Sequence, residues 1–326
     1  MKTSFLAHLL FGALTLLSCT TQAASQQTFH QYVSTLKQEA LAQGISPQTV
    51  DAAFADVKFI AKAVTYDKNQ PEFKLTLDTY LPRAVPEWKV AQAQRLYRQH
   101  YALLQQIGKQ YGVPPRFIVS LWGIETNFGK LTGKYSLVSA LSTLAYEGRR
   151  EAFFKKELFA ALQIIEQGHA TPKTLKGSWA GAMGQVQFMP SSFLAYAVDQ
   201  DGDGRKDLWH TQADVFASAA NYLQQHGWKT DENWARRVKV PSGLDLKLVG
   251  LETTKPLADW QALGVRNLDG SPLPPLNQQA SLVMPDDKEG RAYLAYDNYK
   301  ALMGWNRSSY FVAAVGYLAD RIVGKS

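Results

Sequence analysis

Cysteine is almost missing from this chain: Cys19 is the one residue of its kind among 326. No internal disulfide can therefore brace the fold, and stability must come from core burial, with or without a bound metal. Charge is sparse too, at 19% Asp, Glu, Lys and Arg. The net charge of +7 falls to +6 once Lys2 is discounted, and it is not gathered into a basic stripe. That argues against a nucleic-acid partner and suits an anionic polymer outside the cytoplasm. Beyond the first residues no apolar run is long enough to span a bilayer. There is no long repeat and no low-complexity tract.

What is present begins with a leader. Lys2 supplies a short positive region, Phe5 to Leu17 is largely apolar, and Thr21-Gln22-Ala23 reads as a small-x-small cleavage site. Residues 1–23 are read as a signal peptide, which places the mature protein in the periplasm. Leu16-Leu17-Ser18-Cys19 also resembles a lipobox, with Thr20 directing a Cys19-lipidated chain to the outer membrane. The soluble and anchored forms both stay open. Roughly 300 residues remain, enough for a large core with a smaller satellite. The 8 Trp, 15 Tyr and 15 Phe can fill that core or stack on sugar rings.

Periodicity predicts a mainly α (α+β) protein. Helical patterns run through 24–113. Ser46-Pro47 opens one helix, Pro71 and Pro82 break others, and Ala91 to Tyr111 forms a single run. A second helical stretch covers 114–230. Arg237–Val240, Leu246–Val249 and Ser281–Met284 are short and carry β-branched residues, which predicts a small β-rich unit over 231–297. Helix returns over 298–326.

The most informative residue is Glu125. Pro114 and Pro115 suit a helix start and Gly129 its end. Phe117, Leu121, Ile124 and Phe128 form one apolar stripe; Ile118, Trp122 and Glu125 form its neighbour. A carboxyl group on that side resists ionisation, so its pKa should rise. A carboxylic acid protonated near neutral pH is what a glycosidic leaving group requires. The alternative on geometry alone is a Glu paired with an Arg or sitting at the stripe's rim.

Asp199, Asp201 and Asp203 alternate ahead of Gly204, the spacing of the first half of an EF-hand loop, with Arg205 placed to offer a backbone carbonyl. Hard oxygens in this number favour Ca²⁺ as a structural ion. His210 stands where a bidentate Glu is usual, and Asp214 is the candidate closing carboxylate. Between these signals, Gly177 to Pro190 is rich in small residues. Either a polymer lies against its backbone, with Gln185 and Gln187 reaching the sugar, or it packs tightly against other elements.

Taken in order, Trp-Gly-Ile-Glu-Thr-Asn-Phe-Gly around Glu125, Ala-Gly-Ala-Met-Gly-x-x-Gln-Phe-Met-Pro at 180–190, the Asp-rich loop at 199–204, Ala219–Leu223 and Trp305-Asn306-Arg307-Ser308-Ser309-Tyr310 resemble the lytic murein transglycosylase B family. The resemblance spans nearly the whole mature chain. It implies a lysozyme-like core with an EF-hand-like site, a flanking helical domain and a small β-domain. It implies a monomer acting on peptidoglycan glycan strands at the β-1,4 bond between N-acetylmuramic acid and N-acetylglucosamine. The product would be a 1,6-anhydro end, with one Glu acting as acid and then base. It also implies substrate contacts at Arg149, Arg150, Ser178, Gln187, Tyr222, Trp305 and Asn306. Trp305 stands where some members have Tyr, and Gln185 and Val186 replace other residues of some members. The rival readings are a hydrolytic muramidase, which needs a second carboxylate, and a non-catalytic wall-binding protein.

Overall fold

The computed structural model describes residues 28–69, 75–286 and 290–324. The leader, Cys19 and Pro71 lie outside the described residues. Helices dominate and two small sheets are set among them, so the expected mainly α (α+β) class is observed. Among the described residues no helix is long and apolar enough to cross a membrane.

The first helices are set by their caps. Thr28 and Gln31 make a reciprocal capping box that starts α1 (Phe29–Ala42). The Ser46 hydroxyl accepts the Thr49 N–H to start α2 (Pro47–Phe54), as the sequence predicts. Next comes α3 (Ala61–Lys68). Then α4 (Leu77–Ala84) runs through Pro82 instead of stopping there, and it ends two residues later. The predicted single run at 91–111 is two helices, α5 (Glu87–Gln99) and α6 (Tyr101–Tyr111). The break falls at His100, whose ring packs edge-on against Trp122 and Phe216. Tyr101, the first residue of α6, is 54% exposed.

Four helices form the middle of the molecule: α7 (Pro115–Thr126), α8 (Leu137–Glu147), α9 (Glu151–Glu166) and α10 (Pro190–Tyr196). Strands β1 (Tyr135–Ser136) and β2 (Lys176–Gly177) pair antiparallel beside them. The N-terminus of α10 is held by the buried Glu157, whose carboxylate accepts the Ser191 N–H at 2.9 Å and hydroxyl at 2.7 Å. Helix α11 (Gln212–Gln225) follows.

The β-rich unit is a five-stranded antiparallel sheet built from β3 (Ala235–Lys239), β4 (Thr254–Pro256), β5 (Arg266–Asn267), β6 (Gln279–Val283) and β7 (Ala292–Ala295), ordered β4-β6-β7-β3-β5. It has its own apolar cluster around Trp260, Leu282 and Leu294, with helix α12 (Leu257–Ala262) contributing Leu257. Leu246–Val249, predicted as a strand, instead forms a 3₁₀ turn over Leu246–Leu248. Asp245 caps that turn by accepting the Lys247 N–H, and Leu246 is 56% exposed, so no alternating face is buried there.

The chain closes with α13 (Asp297–Trp305) and α14 (Ser309–Ile322). Helix α14 packs along α7, and the buried Ser120 hydroxyl donates to the Val315 carbonyl at 2.6 Å. The last helices thus back the helix that bears Glu125 and bring Trp305 to it.

Candidate active site

Glu125 sits in the last turn of α7, and the chain reverses immediately after it. Asn127 has φ 50°, Phe128 φ 59° and Gly129 φ 79°, so three successive residues are left-handed. A bulky residue such as Phe128 adopts that conformation only when its surroundings impose it. Among the described residues, the only other non-glycine with positive φ is Gln187. All three non-glycine cases therefore fall in the two segments that the sequence singles out.

Gln185 is the pin that holds the reversal. Its Oε1 accepts the Trp122 Nε1–H at 2.7 Å, and its carbonyl accepts the Thr126 hydroxyl at 2.6 Å. Its Nε2 donates to the Trp209 carbonyl at 2.8 Å and its backbone N–H to the Leu208 carbonyl at 2.7 Å. Gln185 is 5% exposed. Its amide is consumed inside the protein, so the expectation that it reaches a sugar is corrected. The glycines nearby serve the same packing. A Cβ on Gly129 would meet Gln185 Oε1 at 2.4 Å, and one on Gly177 would meet the Ala182 carbonyl oxygen at 2.2 Å. The tight-packing alternative for 177–190 is thus the one realised at these positions.

The Glu125 carboxyl group is set among apolar neighbours, and burial pushes its pKa up to about 7. The one opposing influence is Trp305, whose Nε1–H donates to Glu125 Oε1 at 2.7 Å and favours the carboxylate. Among the described residues, no second carboxylate and no cation takes part in the shift. The alternative of a Glu paired with an Arg is excluded by this surround.

Trp305 is itself fixed by aromatic contacts, with Phe188 at 5.3 Å and Tyr222 at 4.7 Å between ring centroids. Tyr222 is buried. Its hydroxyl donates to the Gly304 carbonyl at 2.7 Å, and its ring stacks on His226 at 3.9 Å. Through these contacts Tyr222 packs behind the Trp305 ring. Asn306 is exposed just beyond α13, and its Oδ1 accepts the Ser308 N–H at 3.2 Å.

Ser178 and Trp179 line a shallow groove of about 470 Å³ with residues 130–135. The Ser178 hydroxyl accepts the Ala182 N–H at 3.0 Å. Gln187 reaches across to the same segment, donating from Nε2 to the Thr132 carbonyl at 3.2 Å. Arg149 and Arg150 stand apart from the Glu125 contacts, on a different groove of about 1060 Å³, and both are ion-paired with Asp67.

The acidic loop folds as its spacing predicts. Both Asp199 carboxylate oxygens accept backbone N–H groups, from Gly202 at 2.7 Å and Gly204 at 2.8 Å. Arg205 N–H donates to Asp203 Oδ1 at 2.8 Å. Asp199, Asp201 and Asp203 each present a carboxylate oxygen, all within 4.8 Å of one another. Asp214 lies outside this group of three. It is fully buried, and its two oxygens accept the Gln200 N–H at 2.7 Å and the Asp207 N–H at 2.8 Å. It ties the two legs of the loop together from behind.

One neighbour of Glu125 escapes sequence reading altogether. Tyr80, on α4, lies close enough for the charge of Glu125 to raise its hydroxyl pKa beyond what burial alone does. Its ring packs edge-on against Tyr310 at 5.3 Å. Tyr310 belongs to the Trp305 segment, but nothing in the pattern around position 80 marks a site residue.

With this geometry in view, a family profile described as transglycosylase SLT domain matches residues 28–320. Membrane-bound lytic murein transglycosylase B of Escherichia coli K12 is 36% identical over 231 residues, covering 69% of this chain and 62% of that protein. The chain thus spans under two thirds of that curated relative. The crystal structure of SltB3 from Pseudomonas aeruginosa with NAG-anhNAM-pentapeptide superposes with a TM-score of 0.88 at 42% identity, over 92% of this chain and 80% of that one. The Escherichia coli lytic transglycosylase Slt35 in complex with calcium gives 0.78 at 29% identity, over 90% and 92%.

Proposed function

The chain belongs to the transglycosylase SLT domain family, and from that premise we propose that it is a peptidoglycan lytic transglycosylase. It cuts the β-1,4 bond between N-acetylmuramic acid and N-acetylglucosamine, with Glu125 as the single catalytic carboxyl group. The observation that carries this reading is a carboxyl group with a pKa near 7 set by burial, without a second carboxylate beside it among the described residues. The SltB3 relative, crystallised with NAG-anhNAM-pentapeptide and with NAG-NAM-pentapeptide, supports the substrate class. The reading retains residues 114–230 as the catalytic core and 231–297 as a separate small unit. It retains the periplasm as the site of action, where the substrate lies, and the relative named membrane-bound keeps the Cys19 anchor in view.

The chemistry follows from the two oxygens of one group. Trp305 occupies Oε1, so the transferable proton belongs on Oε2. In the first step that proton passes to the glycosidic oxygen as its bond to the muramic C1 breaks. Glu125 is then a carboxylate, and the Trp305 N–H supports the new charge. In the second step the muramic C6 hydroxyl attacks C1, a new O6–C1 bond forms, and Glu125 recovers the proton from O6. A pKa near 7 suits both roles at neutral pH. An ordinary glycosidase needs a second carboxylate to act as nucleophile or to activate water. An intramolecular hydroxyl replaces it here through its high effective concentration.

Incubation with purified sacculi tests the activity: soluble fragments are expected, and intact sacculi after incubation with folded protein would contradict it. Trp305→Phe keeps the ring and removes the N–H. It is expected to lower kcat by about 10- to 100-fold. It should also move the pH limb governed by Glu125 upward, because the carboxylate loses its donor. An unchanged pH profile would show that the hydrogen bond plays no part.

We also infer a structural Ca²⁺ held by Asp199, Asp201 and Asp203 with the Arg205 carbonyl. Three oxygens within 4.8 Å of one another suit a cation that binds oxygen at about 2.4 Å, and the Slt35 complex with calcium supports the choice of ion. When bound, the ion would neutralise the three carboxylates and order the loop. Leu208 and Trp209, at the loop's exit, carry that order to Gln185 and so to α7. Calcium is expected to raise Tm by about 5 °C at saturation, and chelation should reverse the gain. Equal Tm values with calcium and with chelator would remove the ion from the account.

A further inference from the structure

The two exposed arginines at the turn between α8 and α9 share one buried carboxylate. Asp67, on α3, has a side chain only 1% exposed, whereas Arg149 and Arg150 are 51% and 42% exposed. Arg149 donates from Nε to Asp67 Oδ2 at 3.0 Å and from Nη2 to the same oxygen and to the Asp67 carbonyl. Arg150 donates from Nη2 to Oδ1 at 2.7 Å, and its guanidinium lies over the Phe154 ring at 4.7 Å. Burial alone would favour the neutral acid, but the arginine bonds outweigh it and hold the Asp67 carboxyl group below its ordinary range.

Without such a partner, two guanidinium groups on neighbouring residues would repel each other and sample many rotamers. With it, each is held in one orientation, and two positive charges against one negative leave a net positive charge at the surface. Arg149 Nη1 and Arg150 Nε and Nη1 are not spent on Asp67. They stand on a groove of about 1060 Å³ that is also lined by Lys155, Lys156, Glu39 and Glu151. Lys155 is ion-paired with Glu39 at 2.5 Å and lies 4.0 Å from Glu151, so with Asp67 counted the four cationic side chains face three anionic ones, and the single net positive charge favours an acidic ligand. The same helix reaches the other groove as well: Tyr66, next to Asp67, packs its ring at 5.9 Å from Trp179.

We propose that Asp67 is a positioning residue that presents Arg149 and Arg150 to a carboxylate of the peptide stem carried by the glycan. The inference rests on the glycan-cleaving reading above and specifies which part of the substrate this groove recognises. Forked guanidinium donors match a planar carboxylate, and they do so only when their orientation is fixed in advance.

The test compares cleavage of peptide-bearing strands with cleavage of strands stripped of peptide. Asp67→Asn keeps the size of the side chain and removes its charge. The preference for peptide-bearing strands, measured as the ratio of kcat/KM values, is expected to fall about 10-fold, through KM rather than kcat. The double replacement Arg149→Lys with Arg150→Lys alters exposed groups only, and it is expected to lower the ratio by a similar factor. An unchanged ratio in either folded variant would overturn the inference, as would an equal loss on both substrates. Cleavage of neither substrate by the unaltered protein would instead overturn the reading on which the inference rests.

Discussion

Glu125→Gln is expected to lower cleavage of peptidoglycan by about 10³- to 10⁴-fold while leaving the fold intact. The substitution is nearly isosteric, and the amide oxygen can still accept the Trp305 N–H that Glu125 Oε1 now accepts at 2.7 Å. What it removes is the exchangeable proton, which the account uses twice: once for the leaving oxygen and once for the C6 hydroxyl. Among the described residues no neighbouring acid is placed to substitute, since none contributes to the Glu125 environment. The measurement is release of soluble fragments from sacculi, with circular dichroism as the check on folding. Full activity in the folded variant would refute the mechanism and favour a protein that binds the wall without cutting it.

The same substitution is expected to stabilise the protein at alkaline pH. Glu125 has a folded pKa of about 7 against an ordinary 4.5. The native state therefore holds the proton more tightly than the unfolded chain does. Below pH 4.5 both states are protonated and no penalty exists. As pH rises from 4.5 to 7 the unfolded chain ionises first, and the penalty grows. Above pH 7 it is complete, at about 3 kcal/mol. Gln carries no such penalty, so Glu125→Gln should raise Tm by about 6 °C at pH 8 and by little at pH 4.5. A stability difference that does not vary with pH would show that Glu125 ionises in the native state as freely as in water.

Most of this arrangement was legible because it rests on local patterns. The capped start at Ser46, the apolar stripes of α7 and the alternating aspartates each follow from spacing over a few residues. The placement of Glu125 against apolar side chains follows from the same stripes. Contacts made across the chain were not legible in that way. The internal bonding of Gln185 was hidden because its partners Trp122, Thr126 and Trp209 lie up to 63 positions away. The engagement of Tyr222 with Gly304 was hidden because it depends on how α13 docks. The hold of Asp214 on the Gln200 and Asp207 N–H groups was hidden too, because sequence separation does not reveal which way a buried carboxylate points. Asp67 gave no signal, since its meaning lies wholly in the two arginines 82 and 83 positions further on. Pro82 misled for a different reason: a proline near a helix end costs that helix only its last turn.

The most direct test of the central claim is mass spectrometry of the fragments released from peptidoglycan by the purified protein. Single-carboxyl chemistry predicts 1,6-anhydro ends, each product one water lighter than the corresponding lysozyme product. Reducing ends of full hydrated mass would contradict it, because water would then be the nucleophile and a second group would have to activate it.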